Sequence, residues 1–383
     1  MLQRILSIVL LSVFVSVHSF AVGVEVTTST SSSSSAFPLV GPVRAEEIGN
    51  IVWWRPTLDE KAIEQMMADL QRWGYRNVMV ESFWGGQTIY PSKVFPPKTN
   101  DGKDWLKIIC EAGARHNIRV HAWIHTFFWG LRANVTSGSL LAQHPHWIEQ
   151  TLDGQLPQSG ERDYVFASPA VREVRAALGK LVDELCERDI VGINIDYIRY
   201  PFTVPDSGYN PVAVERFRNE TGLDARTITK DLTPNSPWMR WVEFRERMVT
   251  ETVEELSSRI RFNSARSGRR ILVSAAYFPG YKKERGSNPK CQNWYVWVER
   301  GLLDLSTPMC YSPSLEGLKE ELAEVREVHV GKPTACIPGL AVGRFSSPHP
   351  PYLQQLELAR NAGFPAIAVF KYETLKDEIE KLK

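Results

Sequence analysis

The amino-acid sequence predicts an α/β protein built as a single (β/α)8 TIM barrel with enlarged βα loops. From about Ile48 to the C-terminus, short apolar runs alternate eight times with stretches of helical periodicity. The runs are apolar throughout rather than on alternate residues, the pattern of parallel strands covered by helices. The main competitor is a doubly wound open sheet, which carries a Gly-rich phosphate turn after its first strand. Here the first strand instead runs into Trp53-Trp54-Arg55-Pro56, and no internal repeat accompanies the alternation.

The elements follow in order. Ile51–Trp54 is the first strand, and Thr57-Leu-Asp-Glu60 reads as a capping box opening a helix with the stripe Ile63, Met66, Met67, Leu70 and Trp73, ended by Gly74. Asn77–Glu81 is the second strand, followed by a Gly-Gly loop and a helix around Leu106, Ile109 and Cys110; Ile118–His125 is the third. Ser168-Pro169 reads as an N-cap with Pro at the first helical position, starting a helix through Val171, Val174, Leu178, Leu181 and Leu185. Ile190–Asp196 is the fourth strand, before a long helix marked by Trp241, Phe244, Met248, Val253, Leu256 and Ile260. The remaining strands are Ile271–Tyr277, Leu303–Met309, Thr334–Leu340 and Ala366–Phe370, separated by helical stretches near Trp294, Leu318 and Leu353.

Composition narrows the function classes. With 45 Lys+Arg against 44 Asp+Glu the net charge is +1 and the longest basic clusters are short, so a duplex nucleic-acid reader is not expected. Five Cys in 383 residues, none in CxxC spacing, fit neither a disulfide scaffold nor a thiolate metal site. Cys110, Cys186, Cys310 and Cys336 read as buried small hydrophobes. Twelve Trp is a high count, and indole faces serve either as core or as platforms for sugar rings.

The N-terminus carries Arg4 and then an apolar-to-small run from Ile5 to Val17, too short for a bilayer span but suited to a signal peptide. Ser19-Phe20-Ala21 supplies a small-x-small cleavage site, so residues 1–21 are expected to be a signal peptide, with a retained anchor as the alternative. Residues 22–45, with the all-Ser/Thr stretch Thr27–Ser35, form an expected disordered spacer, and residues 46–383 the barrel. The expectation is a secreted or periplasmic monomer with no stable membrane span in the mature chain. Asn134-Val-Thr136 and Asn219-Glu-Thr221 are glycosylation sequons.

Barrel chemistry gathers at the carboxyl ends of the strands. Glu81 ends the second strand, His125 the third and Asp196 the fourth, and Glu373 follows the eighth. A carboxylate ending an apolar strand needs a reason, because an unpaired buried charge is costly. Acid/base chemistry is one reason; an ion pair with Arg55 or Arg199 is the other. His121 and His125 share a face of a strand but lie roughly 13 Å apart at about 3.3 Å per residue, so they hold no common metal ion. His121 reads as barrel core. No cofactor or metal is implied, and the GxSxG elbow of common esterases is absent.

Strand ends and loops together resemble the glycosyl-hydrolase-like family 10 barrel. The matching segments are Asn77-Val-Met-Val-Glu81 with Ile89-Tyr-Pro-Ser92, Ile118-Arg-Val-His-Ala-Trp-Ile124, His144-Pro-His-Trp147 and Ser168-Pro-Ala-Val-Arg172. Most specific is Gly192-Ile-Asn-Ile-Asp-Tyr-Ile-Arg-Tyr-Pro201. Trp294–Trp297 before Leu303-Asp-Leu, Pro308-Met-Cys-Tyr311 and Ala368-Val-Phe-Lys-Tyr-Glu-Thr-Leu375 complete the series. The resemblance implies an exported glycoside hydrolase acting on a polysaccharide or on peptidoglycan glycan strands. It assigns the strand-four acid to Asp196 and the cleft to Trp123, Arg199, Tyr200 and Tyr311. The family's usual Asp-Gly entry to strand four and its His two before the Asp are here Val191-Gly192 and Asn194.

Glu81 rests on its strand-end position and is the expected partner of Asp196, with Asp196 ionised beside Arg199 and Glu81 the proton donor. Trp84 and Trp129, just past strand ends, join Trp123 and Tyr311 as expected sugar platforms; His125 and Glu373 are further substrate-binding candidates. The alternative class is a carbohydrate-binding barrel without catalysis.

Overall fold

The computed structural model describes residues 37, 40–131, 135, 139–156, 163–201, 206–287, 290–343 and 349–381. The expected signal peptide and most of the expected 22–45 spacer, including its Ser/Thr stretch, lie outside these residues, as does Asn134; Asn219 is exposed on the helix Pro211–Thr221.

Eight parallel strands form a closed barrel: β1 (Ile51–Trp54), β2 (Asn77–Trp84), β3 (Arg119–His125), β4 (Gly192–Asp196), β5 (Leu272–Tyr277), β6 (Leu305–Cys310), β7 (Gly339–Ala341) and β8 (Ala368–Phe370). Each pairs with the next, and β1 pairs with both β2 and β8, which closes the sheet and excludes the open doubly wound alternative. Each strand leads to a helix of the outer layer: α1 (Glu60–Arg72), α2 (Trp105–Arg115), α3 (Arg172–Cys186), α4 (Pro237–Ser267), α5 (Trp294–Glu299), α6 (Leu315–His329), α7 (Tyr352–Asn361) and α8 (Tyr372–Lys381).

Alternation along the strands divides the core in two. Val52, Val78, Val80, Ala122, Ile124, Ile193, Ile195, Val273 and Ala275 face the helices. Ile51, Trp53, Met79, Trp123, Leu272, Ala276, Leu305 and Ala368 fill the interior. Large side chains there need small partners. A Cβ on Gly192 would sit 2.4 Å from His121 Nδ1, and one on Gly339 would meet the Trp53 ring at 3.2 Å. Polar interior groups are paired across strands: the Asn194 amide donates to Ser274 Oγ (3.1 Å) and Thr307 Oγ1 (3.2 Å) and accepts from Trp53 Nε1 (3.3 Å). His121 sits opposite Asn77, Nε2 to Oδ1 3.2 Å, and burial lowers its pKa to about 3, so it is a neutral core residue.

Several local expectations shift. Helix α1 is capped by Asp59, whose carboxylate accepts from the Ala62 amide at 2.8 Å, and not by Thr57. Helix α3 begins at Arg172, because Ser168 is drawn into a preceding turn that accepts the Val171 amide. The seventh strand divides into Ala335–Cys336, paired with β6, and β7, with Pro338 lacking an N–H between them. Phe37 and Val43, inside the expected 22–45 spacer, are buried with Ile48 and Ile51, so the folded domain includes part of that stretch. The loops add a two-stranded sheet, Phe128–Leu131 with Tyr164–Phe166, and the helix Pro211–Thr221.

Candidate active site at the barrel mouth

The carboxyl ends of β2, β3 and β4 set the site. In register, Glu81 lies beside Trp123, and His125 beside Asp196, so all four inward side chains share the top layers of the barrel. Just past Glu81 the β2–β3 register slips by one residue, a bulge that re-aims the end of β2. The Gly85-Gly86 turn then folds the chain back. A Cβ on Gly86, which has φ +77°, would lie 2.5 Å from the Trp129 carbonyl oxygen, so this close approach requires glycine.

Asp196 is buried at 7% exposure and held by two N–H donors: Trp123 Nε1 donates to Oδ2 at 2.9 Å and the Tyr197 amide to Oδ1 at 2.6 Å. Tyr197 adopts φ 49°, a left-handed conformation that costs a non-glycine residue energy and is found at functional sites. Burial pushes the Asp196 carboxyl above the usual carboxylate range, opposed by the Tyr197 amide, the Trp123 indole, and then Arg199 and Arg55. Arg199 is itself buried, its guanidinium against the rings of Tyr197 (4.9 Å) and Phe278 (5.6 Å) and donating to the Tyr200 carbonyl.

Glu81, at 3% exposure, is surrounded by cations. Arg55 Nε lies 3.0 Å from Oε1 and Lys98 Nζ 4.0 Å from Oε2. Burial raises the Glu81 carboxyl; Arg55 and Lys98 oppose this, and the charge of Asp196 adds to the rise. The charge of Asp196 therefore bears on the ionisation of Glu81. His125 Nε2 lies 3.4 Å from Glu81 Oε1 and the ring stacks on Tyr197 at 4.4 Å. Burial, Arg55, Arg199 and Lys98 hold His125 well below the ordinary imidazole range, so it is neutral, and neither ring nitrogen makes a hydrogen bond among the described residues.

The family model for glycosyl hydrolase-like 10 matches residues 43–346. The chain belongs to the glycosyl hydrolase-like 10 family. Relatives named "Glycosyl hydrolase DigH", from Escherichia coli (strain K12) and Shigella flexneri, are 24% identical over 295 residues, covering 71% of this chain and 62% of theirs. The chain thus spans less than two thirds of the length of these curated relatives. Among solved structures it is similar to a beta-galactosidase from the psychrophilic Marinomonas ef1 (TM-score 0.58, 13% identity, 84% of this chain and 54% of that one). It is also similar to alpha-L-fucosidase isoenzyme 2 from Paenibacillus thiaminolyticus (TM-score 0.57, 14% identity, 89% and 49%). These likenesses show the barrel fold.

Within this glycosyl hydrolase-like barrel the expected site residues separate into two groups. Asp196, Glu81, Trp123, His125 and Arg199 converge, but Trp123, 1% exposed, fills the barrel interior, donates to Asp196 and offers no face to a sugar. Tyr311 joins them: its hydroxyl is pushed well above the ordinary phenol range by burial and by the nearby charge of Asp196, and its ring lies 6.1 Å from Phe370. Trp84 is half-buried at the rim, with Lys98 Nζ 5.5 Å from its ring and Phe128 edge-on at 5.5 Å.

The others lie elsewhere. Trp129 is 1% exposed, packed edge-on against Phe83, Phe95 and Trp147, its indole donating to the Thr126 carbonyl at 2.7 Å. Strand alternation explains the offset: its neighbour Phe128 faces His125 (5.8 Å) and Tyr197 (5.6 Å), and Trp129 points the other way. Tyr200 is buried near Glu149 and Cys291, both of which raise its hydroxyl after burial itself. Glu373, in the first turn of α8, pairs with Lys371 at 3.4 Å and contacts neither acid.

Arg55, Lys98, Tyr197 and Phe128 are the site residues that strand-end reading does not assign to the chemistry. Arg55 has a signal in its place directly after β1; Lys98 sits within a loop and has none.

Proposed function

We propose that this protein is an exported glycoside hydrolase that cleaves O-glycosidic bonds of a polysaccharide or of peptidoglycan glycan strands. The observation that carries the reading is the pair of buried carboxyl groups, Glu81 and Asp196, at the mouth of a glycosyl hydrolase-like barrel. One carboxyl protonates the glycosidic oxygen while the other, as carboxylate, attacks the anomeric carbon or activates water. The half-buried rim ring of Trp84 offers a face to a sugar, and neutral His125 lies buried against Glu81 without facing solvent. Export rests on the N-terminal apolar run and the small-residue site after it.

The test is incubation of the purified protein with peptidoglycan glycan strands, chitin oligomers and plant glucans, reading released reducing ends. Activity on one of these is expected. Asp196→Asn, which keeps the side-chain shape but can accept from only one of the two donors, the Trp123 indole or the Tyr197 amide, should lower turnover by at least about a thousandfold with an unchanged circular dichroism spectrum.

A second reading, a carbohydrate-binding barrel without turnover, is favoured by the Arg55–Glu81 ion pair and the two donors on Asp196, which give each acid a partner within the protein. It predicts saccharide binding by the wild-type protein, no reducing ends from any polymer, and no effect of Asp196→Asn on affinity.

A further inference from the structure

Arg55 follows β1 directly, and its side chain is 39% exposed, so it could reach solvent without cost. Instead it turns toward the inward side chains at the barrel mouth. Its guanidinium carbon lies 5.7 Å from the Trp123 ring centroid and 5.9 Å from that of Phe370, so residues from β3 and β8 both flank it. Such cation–π contacts fix the guanidinium plane and weaken its hydration. From that position it touches Glu81 at 3.0 Å and acts on Asp196 and His125 as well. Trp123, which flanks it, is also the residue donating to Asp196.

The charges are distributed unevenly over the two acids. Glu81 is faced by Arg55 from the end of β1, Lys98 from the loop after β2, neutral His125 from β3 and Asp196 from β4. Asp196 is contacted by neutral N–H donors from Trp123 and Tyr197, with the charges of Arg199 and Arg55 also acting on it and the neutral Tyr311 hydroxyl from the end of β6 nearby. A positive charge in contact favours an ionised neighbour, so of two buried carboxyl groups the one without that contact keeps its proton longer.

We propose that Arg55 is the positioning residue of this pair: flanked by Trp123 and Phe370, it holds Glu81 as the carboxylate and so leaves Asp196 to carry the proton. This assignment rests on the glycosidase reading and reverses the roles expected from the sequence. Glu81 is then the nucleophile or base, and Asp196 gives its proton to the departing glycosidic oxygen.

The test compares Arg55→Met with Arg55→Lys. Removing the cation raises the pH at which Glu81 ionises, so the acid limb of kcat/KM should move up by about one pH unit, a tenfold loss on that limb recovered at higher pH. Arg55→Lys should return most of the limb toward its wild-type position. An unmoved limb in Arg55→Met, with only a lower melting temperature, would make Arg55 a structural residue and overturn the proposal. If no glycan is turned over, the glycosidase reading fails, but the positioning claim still has a readout. Carboxyl 13C signals of labelled glutamate, with the Glu81 resonance assigned by its loss in Glu81→Gln, should titrate at higher pH in Arg55→Met than in the parent. Coincident Glu81 titrations would refute the positioning role independently of catalysis.

Discussion

Trp84 ends β2 and Trp129 lies four residues past β3, yet the structure assigns them opposite consequences on truncation. The Trp129 indole is enclosed by Phe83, Phe95 and Trp147 and donates to the Thr126 carbonyl. A buried indole removes roughly 200 Å² from water, worth about 5 kcal/mol at about 25 cal/mol per Å². Partial collapse of the cavity brings Trp→Ala costs into a range of about 3–5 kcal/mol. Trp129→Ala should therefore lower the melting temperature by roughly 6–10 °C, taking about 2 °C per kcal/mol for a domain of this size. Trp129→Phe retains the ring but leaves the Thr126 carbonyl without its indole donor, and should cost about 1–2 kcal/mol. Trp84, half-buried with a cation over its ring, should cost under about 2 kcal/mol as Ala while weakening saccharide binding. Differential scanning calorimetry with saccharide titration on the same preparations separates the two. A Trp129→Ala protein that melts with the parent but no longer binds saccharide would refute the packing argument.

The barrel is legible in the sequence because its strands announce themselves by apolarity and its helices by period. The misses are local and share a cause. Ser168-Pro169 has the residues of a helix start, but the chain makes a turn there. The same signal at Asn210-Pro211 and Ser236-Pro237 does open helices, each with the preceding side chain accepting a backbone amide. A cap motif states that a helix can start; whether it does depends on what its first turn packs against. Phe128–Leu131 pairs antiparallel with the distant Tyr164–Phe166, and long-range pairing leaves no mark on local periodicity.

At the site, Glu81, His125 and Asp196 are legible as polar residues ending apolar strands. Which way a side chain points beyond a strand end is not. Trp129 and Tyr200 both lie within a few residues of a strand end, yet both turn away from the mouth. The distribution of cations over the two acids is equally hidden, since it depends on Lys98 returning from a loop and on Arg55 being drawn inward by rings on β3 and β8, far from it in sequence.

Three further outcomes follow from burial alone. All five cysteines are free and buried, and burial pushes the thiols of Cys110, Cys186 and Cys291 up to about 12, so a disulfide reagent at pH 8 should titrate none in the native protein and five in denaturant. Gly192→Ala forces a methyl against His121 inside the barrel and should cost about 1–3 kcal/mol, read as a lower denaturation midpoint; an unchanged midpoint would mean that the interior has slack. Glu321 gives a pH-dependent case. On α6, its carboxylate accepts the Ser312 amide at 3.1 Å, yet burial and Glu324 raise its pKa from 4.5 to about 7. Its folded pKa exceeds its unfolded one, so between these values the folded state binds more protons and stability falls as pH rises. Below about pH 4.5 both states are protonated and Glu321→Gln, a near-isostere of the neutral acid, should match the parent. Above pH 7 the parent carries the cost of a buried charge. The variant should then be more stable by up to about 3 kcal/mol, because each tenfold difference in proton affinity between the folded and unfolded states is worth about 1.4 kcal/mol. Urea unfolding at pH 4.5 and pH 8 measures both ends, and a stability difference that is the same at the two pH values would refute the burial account of Glu321.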